Sequence, residues 1–176
     1  MSTVVVYESM YGSTKAIAEA VADGLAAHGP VRLAEVSALA ATPGSKQLPA
    51  DVDLVVLGGP THAFSMSRAS TRQDAVKDSP NGAVISAGKG LREWIEALRL
   101  PTGGLQFAAF DTKVVKPNLP GSAAKAADKA MRALGGRPIA KPRTFKVHGK
   151  ADGLVDGEVE AARAWGRELG AAHVRV

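Results

Sequence analysis

Residues 4–14 read VVVYESMYGST, and this stretch decides the fold. It opens with three valines and a tyrosine, an apolar and β-branched run that predicts a buried strand. A short loop rich in hydroxyl groups follows, with one glycine at Gly12. From Lys15 the pattern becomes helical, because Ile17, Val21 and Leu25 are spaced by four residues on one face. The stretch therefore predicts a strand that leads through a tight loop into a helix.

The loop between this strand and helix has the features of a phosphate site. The first turn of a helix leaves backbone N–H groups without partners, and the helix dipole favours an anion there. Hydroxyl groups add donors, and a glycine lets the backbone turn closely around a phosphate. The residues expected at the phosphate are Ser9, Met10, Tyr11, Gly12, Ser13 and Thr14. Serine and threonine also cap helices that bind nothing, so this loop alone leaves both interpretations open.

The loop differs from two well-known nucleotide-binding motifs. No Gly-Lys-Ser/Thr sequence closes it, as in a P-loop, and no G-x-G-x-x-G follows the strand, as in the dinucleotide fingerprint. One glycine among hydroxyl residues suits a single phosphomonoester better than a pyrophosphate.

The composition is that of one globular domain. The chain has 176 residues, of which 45% are hydrophobic, enough for a sizeable core. It has no cysteine, which excludes disulfides, thiolate metal sites and Fe–S clusters. Its four histidines lack ligand spacing, so we expect no metal site. The sequence has neither an apolar run long enough for a bilayer nor a secretory signal, so we expect a cytoplasmic protein without a membrane span.

The charge of the chain is basic and unevenly distributed. Its 22 lysines and arginines exceed its 17 acidic residues, for a net charge of +5. The excess lies between Lys113 and Lys150, where Asp128 is the one acidic residue. Such a stripe suits an acidic protein partner or nucleic acid, or is simply a solvated surface. Because only Phe145 interrupts it as an aromatic, we expect no nucleic-acid binding.

Strand-like and helix-like segments alternate along the whole chain. Further strands are predicted at residues 31–36, 52–58, 106–110 and 144–148, and further helices at 91–98, 121–134 and 157–169. Helical crossovers between strands predict one α/β domain over residues 1–176, a doubly wound five-stranded parallel sheet with helices on both faces. In the order 2-1-3-4-5, ligands bind where the winding reverses, between strands one and three. The loops after these two strands, residues 9–14 and 58–68, therefore flank one crevice.

The two loops resemble those of the flavodoxin family of FMN-binding proteins. Ser9, Gly12 and Thr14 match the family's phosphate loop, commonly T/S-x-T-G-x-T, with Tyr11 in place of its middle threonine. Residues 58–62, GGPTH, resemble the turn that precedes the part of the family's second loop bordering the flavin ring. The resemblance covers the whole chain, and it implies a flavodoxin-like fold with FMN as cofactor.

The resemblance also implies which residues lie at the flavin. They are Pro60, Thr61, His62, Ala63 and Phe64 in the second loop and, by a weaker positional match to a third loop, Phe110, Asp111 and Thr112 after the fourth strand. His62 would donate a hydrogen bond to the N1–C2 side or N5 of the flavin, unless it is simply exposed. Phe64 would stack on the ring or pack on the protein beneath it. Asp111 would accept from the flavin N3–H or a ribityl hydroxyl, or would cap the following turn.

One side of the expected flavin site has no aromatic residue. Flavodoxins often enclose the ring between two aromatics, but residues 113–116 of this third loop read KVVK. We therefore expect a ring face that is open or covered by aliphatic groups. Trp94 and Trp165 fall on apolar helix faces and are expected in the core. The enlarged connection from Ser67 to Lys89 is interpreted as a lid, a partner surface or a variable loop.

The sequence leads to three alternative functions. The first is an FMN-binding redox protein that carries electrons between partner proteins, one of them acidic, with no catalytic side chain. The second is an FMN-dependent oxidoreductase that acts on a quinone or a porphyrinogen-like substrate, which the open ring face favours. The third is a flavin-free interaction protein on the same fold.

Overall fold

The computed structural model describes residues 1–173, which form a parallel sheet covered by helices on both faces. The strands are β1 (Thr3–Tyr7), β2 (Val31–Glu35), β3 (Leu54–Pro60), β4 (Gln106–Val114), β5 (Arg137–Pro138) and β6 (Arg143–Val147). The helices are α1 (Ser13–Leu25), α2 (Val36–Ala41), α3 (Ala69–Asp78), α4 (Leu91–Ala97), α5 (Ala123–Ala133) and α6 (Glu158–His173). None of these helices has the length and apolar character needed to cross a membrane. The last three residues of the expected domain, 174–176, lie outside the described part.

The strand order confirms the predicted doubly wound sheet. Within residues 1–173 the order is β2-β1-β3-β4-β5, and every strand pairing is parallel. β1 pairs with β2 on one side and β3 on the other, so the winding reverses between β1 and β3. The carboxyl ends of β1, β3 and β4 therefore meet at one edge of the sheet.

The predicted fifth strand consists of two pieces. β5 pairs with the start of β4 and β6 with its end, at Phe110 to Val114. Pro138 and Pro142 lack the backbone N–H that a continuous strand ladder requires. The chain leaves the sheet between these two prolines, after β5 and before β6. The prediction of one strand at residues 144–148 missed β5, because two residues that include a proline carry no strand pattern.

Several predicted boundaries are wrong by a few residues. β4 continues four residues beyond Phe110, because β3 and β6 pair with it on both sides despite its polar residues. Asp111 and Thr112 therefore belong to a strand and not to a loop after it. The helices α2 and α3 were not predicted. The sequence of α3, ASTRQDAVKD, has little apolar periodicity, and Arg72 is one of its two buried residues.

The core lies in two layers, one on each face of the sheet. Alternate strand residues point to opposite faces, so Val4 and Val6 pack on one side and Val5 on the other. The first layer includes Trp94 of α4, and the second includes Trp165 of α6, both buried as predicted. Both faces of the central strands are therefore apolar, as expected for a parallel sheet between helices.

Candidate functional site

A crevice of about 400 Å³ opens at the carboxyl ends of β1, β3 and β4. Its volume lies within the range of small-molecule sites. Eleven of the residues expected at a ligand line it: Ser9, Met10, Tyr11, Ser13, Thr14, Pro60, Thr61, His62, Ala63, Phe64 and Thr112. The structure therefore brings the loops after β1 and β3 together at the switch point of the sheet.

The loop after β1 presents an open helix N-terminus. Gly12 precedes α1 with φ 110°, a left-handed conformation that glycine adopts readily. The backbone N–H of Gly12 donates to Ser9 Oγ at 3.1 Å. The N–H groups of Ser13, Thr14 and Lys15 make no hydrogen bond within residues 1–173. These free donors, together with the helix dipole, suit an anion.

Two buried threonines connect this N-terminus to the sheet. The Oγ1 atoms of Thr14 and Thr112 lie 2.7 Å apart, and both side chains are buried. One hydroxyl hydrogen occupies that bond. The other remains available for a further acceptor in the crevice.

Tyr11 connects the loop after β1 to α3 through a hydrogen bond. Its hydroxyl donates to Ala75 O at 2.6 Å, which occupies its one hydrogen with the protein. The segment after α3 also runs beside the loop, because Ile85 N donates to Met10 O at 3.0 Å and Ser86 N to Ser9 O at 2.8 Å. The connection from Ser67 to Lys89 thus forms one wall of the crevice and supports the loop after β1.

The loop after β3 closes in a tight and unusual turn. His62 and Ser65 exchange backbone hydrogen bonds of 2.8 and 3.0 Å. Between them Ala63 and Phe64 have φ 44° and 73°, in the left-handed region that turns of this kind normally fill with glycine or asparagine. Phe64 is 53% exposed at the rim of the crevice. Strained residues of this kind concentrate at ligand sites.

Charged side chains that are buried or half-buried support this turn on its protein side. Arg92 donates to Met66 O at 2.7 Å and to Ser67 O at 3.2 Å. The Ser67 hydroxyl donates to the buried carboxylate of Glu8 and accepts from Arg72 Nη1 at 2.7 Å. Arg72 Nη2 also pairs with Glu93 at 2.5 Å.

The hydrogen bonds among Glu8, Ser67 and Arg72 form a buried network, and the carboxylate of Glu8 lies inside it. Burial raises the pKa of Glu8, while hydrogen bonds from Ser67 and Leu91 N and the charge of Arg72 oppose the rise. Sequence reasoning missed this support, and its one signal was a glutamate directly after a buried strand.

The surroundings of His62 favour its neutral form. Burial, followed by the positive charges of Lys150 and Arg72, lowers its pKa to about 4. Its Nδ1 lies 3.3 Å from Thr71 Oγ1, whose own hydrogen is directed to Arg68 O at 3.1 Å. This arrangement places the ring proton on Nδ1 and leaves Nε2 as an acceptor. Since His62 lines the crevice, it presents an uncharged imidazole to a ligand.

Phe110 and Asp111 do not line the crevice. Phe110 packs edge-to-face against Phe145 and Trp165, with ring centroids 6.0 and 6.1 Å apart. Asp111 is fully buried, and its Oδ2 accepts from Ser122 Oγ at 2.5 Å, Thr61 Oγ1 at 3.0 Å and Ala124 N at 3.1 Å. It therefore supports the start of α5 and does not cap the turn that directly follows it.

The rest of the wall comes from residues that the sequence did not identify. They are Thr71, Asp74, Ala75 and Asp78 of α3, Lys113 and Val114 at the end of β4, Pro117, Leu119 and Pro120 after it, Val147 at the end of β6, and Gly149 and Lys150 after it. The segments after β4 and β6 contribute aliphatic and basic side chains to this wall and no aromatic one. Across the crevice Lys150 Nζ pairs with Asp78 Oδ2 at 3.2 Å. These residues converge only through the fold, so no local motif signals them.

A helix N-terminus and a strained turn face one crevice at the switch point of the parallel sheet, and together they define a doubly wound α/β protein with a candidate ligand site at that point. The sequence model of the flavodoxin family matches residues 5–165, and the chain belongs to that family. No curated protein sequence matches it.

Solved structures agree with this assignment. Flavodoxin 1 from Bacillus cereus has a TM-score of 0.66 and 15% identity, over 99% of this chain and 98% of that chain. A flavodoxin from the domain Archaea has a TM-score of 0.64 and 17% identity, over 99% of each chain. The flavodoxin from Streptococcus pneumoniae has a TM-score of 0.65 and 16% identity, over 97% and 99%. At these identities the likeness concerns the fold.

Flavodoxins bind a flavin, typically FMN, and the residues of this crevice fit that group. The free N–H groups at the start of α1 suit its phosphate. The turn at Ala63 and Phe64 and the aliphatic side chains that line the same crevice suit an apolar ring. His62 and Thr61 supply polar atoms between the two ends.

Proposed function

We propose that the protein binds one FMN in the crevice and acts as a cytoplasmic electron carrier between partner proteins. The observation that carries this proposal is the start of α1, where three consecutive N–H groups are free beside a left-handed Gly12. An N-cap alone would not account for it, because no side chain caps this helix. A phosphomonoester would supply the missing acceptors.

The chain's own residues bind and orient the cofactor. FMN supplies the reversible uptake of one or two electrons, and the protein sets its potential through polar contacts and charge. The N–H groups of Ser13 and Thr14 and the hydroxyls of Ser9 and Thr14 hold the phosphate. His62 Nε2 accepts a hydrogen bond from the flavin, in place of the donating role expected from the sequence. No side chain needs to act as an acid, base or nucleophile.

We propose that the electron partner is a protein with an acidic surface and that nucleic acid is not a ligand. The net charge of +5 supports an acidic partner. The carboxylates of Asp74 and Asp78 at the crevice disfavour a polyanion that runs across it.

The aliphatic wall supports a second candidate, an oxidoreductase that acts on a quinone or a porphyrinogen-like substrate. An aromatic side chain on that wall would cover the flavin, and the segments after β4 and β6 supply none. The test is turnover of a quinone with a nicotinamide donor. A rate above that of free FMN, lost in His62→Ala with flavin still bound, would favour this candidate over electron carriage.

The first experiment is a titration of the apo-protein with FMN and, separately, with riboflavin. We expect FMN to bind one-to-one. Riboflavin, which lacks the phosphate, should bind at least about tenfold more weakly than FMN, because hydrogen bonds to a charged group contribute about 1.5–3 kcal/mol. Thr14→Val should weaken FMN binding while leaving riboflavin binding nearly unchanged. Damage to the fold would weaken both.

The matched control is Thr102→Val, an exposed threonine in the turn before β4, at the opposite end of the sheet. It should change neither affinity. Equal affinity for FMN and riboflavin would remove the phosphate site assigned to α1. No saturable binding of FMN would discard both redox functions and leave an interaction protein on the flavodoxin fold.

A further inference from the structure

A second hollow of about 330 Å³ lies along the segment that leaves β4. Three lysines line it: Lys113 at the end of β4, Lys125 in the first turn of α5 and Lys146 in β6. The other lining residues are neutral. Three elements far apart in sequence therefore bring three positive charges to one concave surface, which we call the lysine face.

The ammonium groups of the lysine face are unpaired within the described residues, although Glu158 Oε2 accepts a hydrogen bond from the backbone N–H of Lys146 at 2.9 Å. Within residues 1–173, none of its three lysines takes part in an ion pair, and neither does the exposed Lys116 nearby in sequence. Other basic residues of this region do have partners, such as Arg132 with Asp128 at 2.8 Å. Three converging ammonium groups against this one carboxylate leave a local positive potential that attracts an acidic surface.

The lysine face adjoins the opening of the crevice. Lys113 and Val114 line both hollows. Gly121, on the lysine face, lies so close to Phe64 that a Cβ at Gly121 would be 2.1 Å from Phe64 O. Phe64 and Leu119 line the crevice and are 53% and 49% exposed. Exposed apolar groups beside a charged surface are the usual composition of a protein interface.

The other side of the crevice presents carboxylates, each paired with a lysine. On α3, Asp74 and Asp78 line the crevice and are exposed; Asp74 pairs with Lys77 at 3.8 Å and Asp78 with Lys150 at 3.2 Å. A polyanion of uniform charge would meet these carboxylates as it crossed the opening. A folded protein with a localised acidic patch matches the lysines on one side and avoids the carboxylates on the other.

We infer that the lysine face, with Phe64 and Leu119, is the docking surface for an acidic redox protein. This inference rests on the proposed function as an electron carrier. The lysines steer the partner, and the apolar pair seats it over the crevice opening, where electrons enter or leave. Encounters between redox proteins bury small areas, so charge sets their rate and specificity.

The test measures binding of a dye-labelled plant-type ferredoxin, an acidic one-electron carrier, by fluorescence anisotropy at about 10 mM salt, where charges act over about 30 Å. The variant Lys125→Glu/Lys146→Glu should bind it at least about tenfold more weakly, since surface fields change association by 10- to 1,000-fold. A glutamate at position 125 suits the first turn of α5, so the fold should persist. Salt should weaken wild-type binding much more than binding by the variant.

The matched control is Lys46→Glu/Arg99→Glu, which changes the net charge equally at two exposed residues near the amino ends of the strands. It should weaken binding much less than the lysine-face variant does, because its charges lie far from the docked partner. Equal weakening in both variants, no weakening in the first, or no wild-type binding of ferredoxin would overturn the inference. Ferredoxin binding is measured with and without FMN, so a failure of the docking surface is distinguished from a failure to bind flavin.

Discussion

His62 is the residue whose charge the fold controls most strongly. Its folded pKa of about 4 lies below the ordinary value of 6.5, chiefly because of burial. The unfolded chain therefore takes up this proton first as the pH falls. The stabilising contribution is complete above about pH 6.5 and is lost progressively as the pH falls toward 4.

We expect this loss to reach roughly 3 kcal/mol at acid pH, because one pKa unit corresponds to about 1.4 kcal/mol. Urea unfolding at pH 7 and pH 4.5 should show a smaller acid destabilisation in His62→Gln than in the wild type. NMR titration of the ring supplies the direct measurement. A His62 midpoint near 6.5 would contradict the neutral imidazole assigned to the crevice.

Ala63 tests the strain in the turn after β3. It has φ 44°, where a Cβ is unfavourable, so Ala63→Gly should raise the free energy of unfolding by about 0.5–1 kcal/mol. The matched control is Ala130→Gly inside α5, which should lower it by about 1 kcal/mol through the loss of helix propensity. If both substitutions destabilise equally, the turn is not strained.

Two helices meet through glycines, and their contact tests the packing of one element on another. A Cβ at Gly166 of α6 would lie 2.3 Å from Val21 O of α1, and one at Gly24 would lie 2.1 Å from Arg163 O. Gly166→Ala should therefore destabilise the fold by about 1–3 kcal/mol, despite the higher helix propensity of alanine. Thermal unfolding measures this loss of stability. The matched control is Arg167→Ala, a substitution at an exposed neighbour whose effect should be small. A stabilised Gly166→Ala would show that the helices can separate without cost.

The helix α3 depends on a tyrosine from another element. Tyr11→Phe removes the hydrogen bond to Ala75 O and leaves that carbonyl without this donor, which should cost about 1 kcal/mol. Amide exchange should become faster in α3 and remain unchanged in α6. Tyr7→Phe is the matched control, because the Tyr7 hydroxyl makes no hydrogen bond within residues 1–173. An unchanged rate of amide exchange in α3 would mean that the helix is stabilised by Arg72 without a contribution from Tyr11.

At the scale of the molecule, the sheet could be predicted from the sequence more completely than the candidate site. Apolar strands with helical crossovers predicted the strand order, because burial on both faces leaves a continuous apolar pattern in each strand. The loops predicted at residues 9–14 and 58–68 were found because each combines turn residues with hydroxyl groups next to a strand. By contrast, α3 has a polar sequence and is held by the buried Arg72, a tertiary interaction that no local pattern encodes. Asp111 was placed in a loop because a carboxylate inside a strand is unexpected until Ser122 and Thr61 are seen to donate to it.

The net positive charge predicts how the potential of bound FMN responds to salt. Reduction adds negative charge to the flavin, and a surplus of five positive charges favours that form. Five charges at roughly 15 Å in water contribute about 1.4 kcal/mol before screening. That energy is equivalent to about 60 mV for one electron. Raising the salt concentration should therefore lower the potential by tens of millivolts, because screening shortens the range of these charges to about 8 Å at 0.15 M.

Spectroelectrochemical titration of the FMN-loaded protein at low and high salt tests this response, with free FMN as the reference. Lys46→Glu/Arg99→Glu should lower the potential at low salt and reduce its salt dependence, although both residues lie far from the crevice. That outcome would separate the field of the whole molecule from contacts at the flavin, because Lys46 and Arg99 do not line the crevice. A potential that stays constant or rises with salt would mean that local hydrogen bonds, such as the one assigned to His62, set it alone.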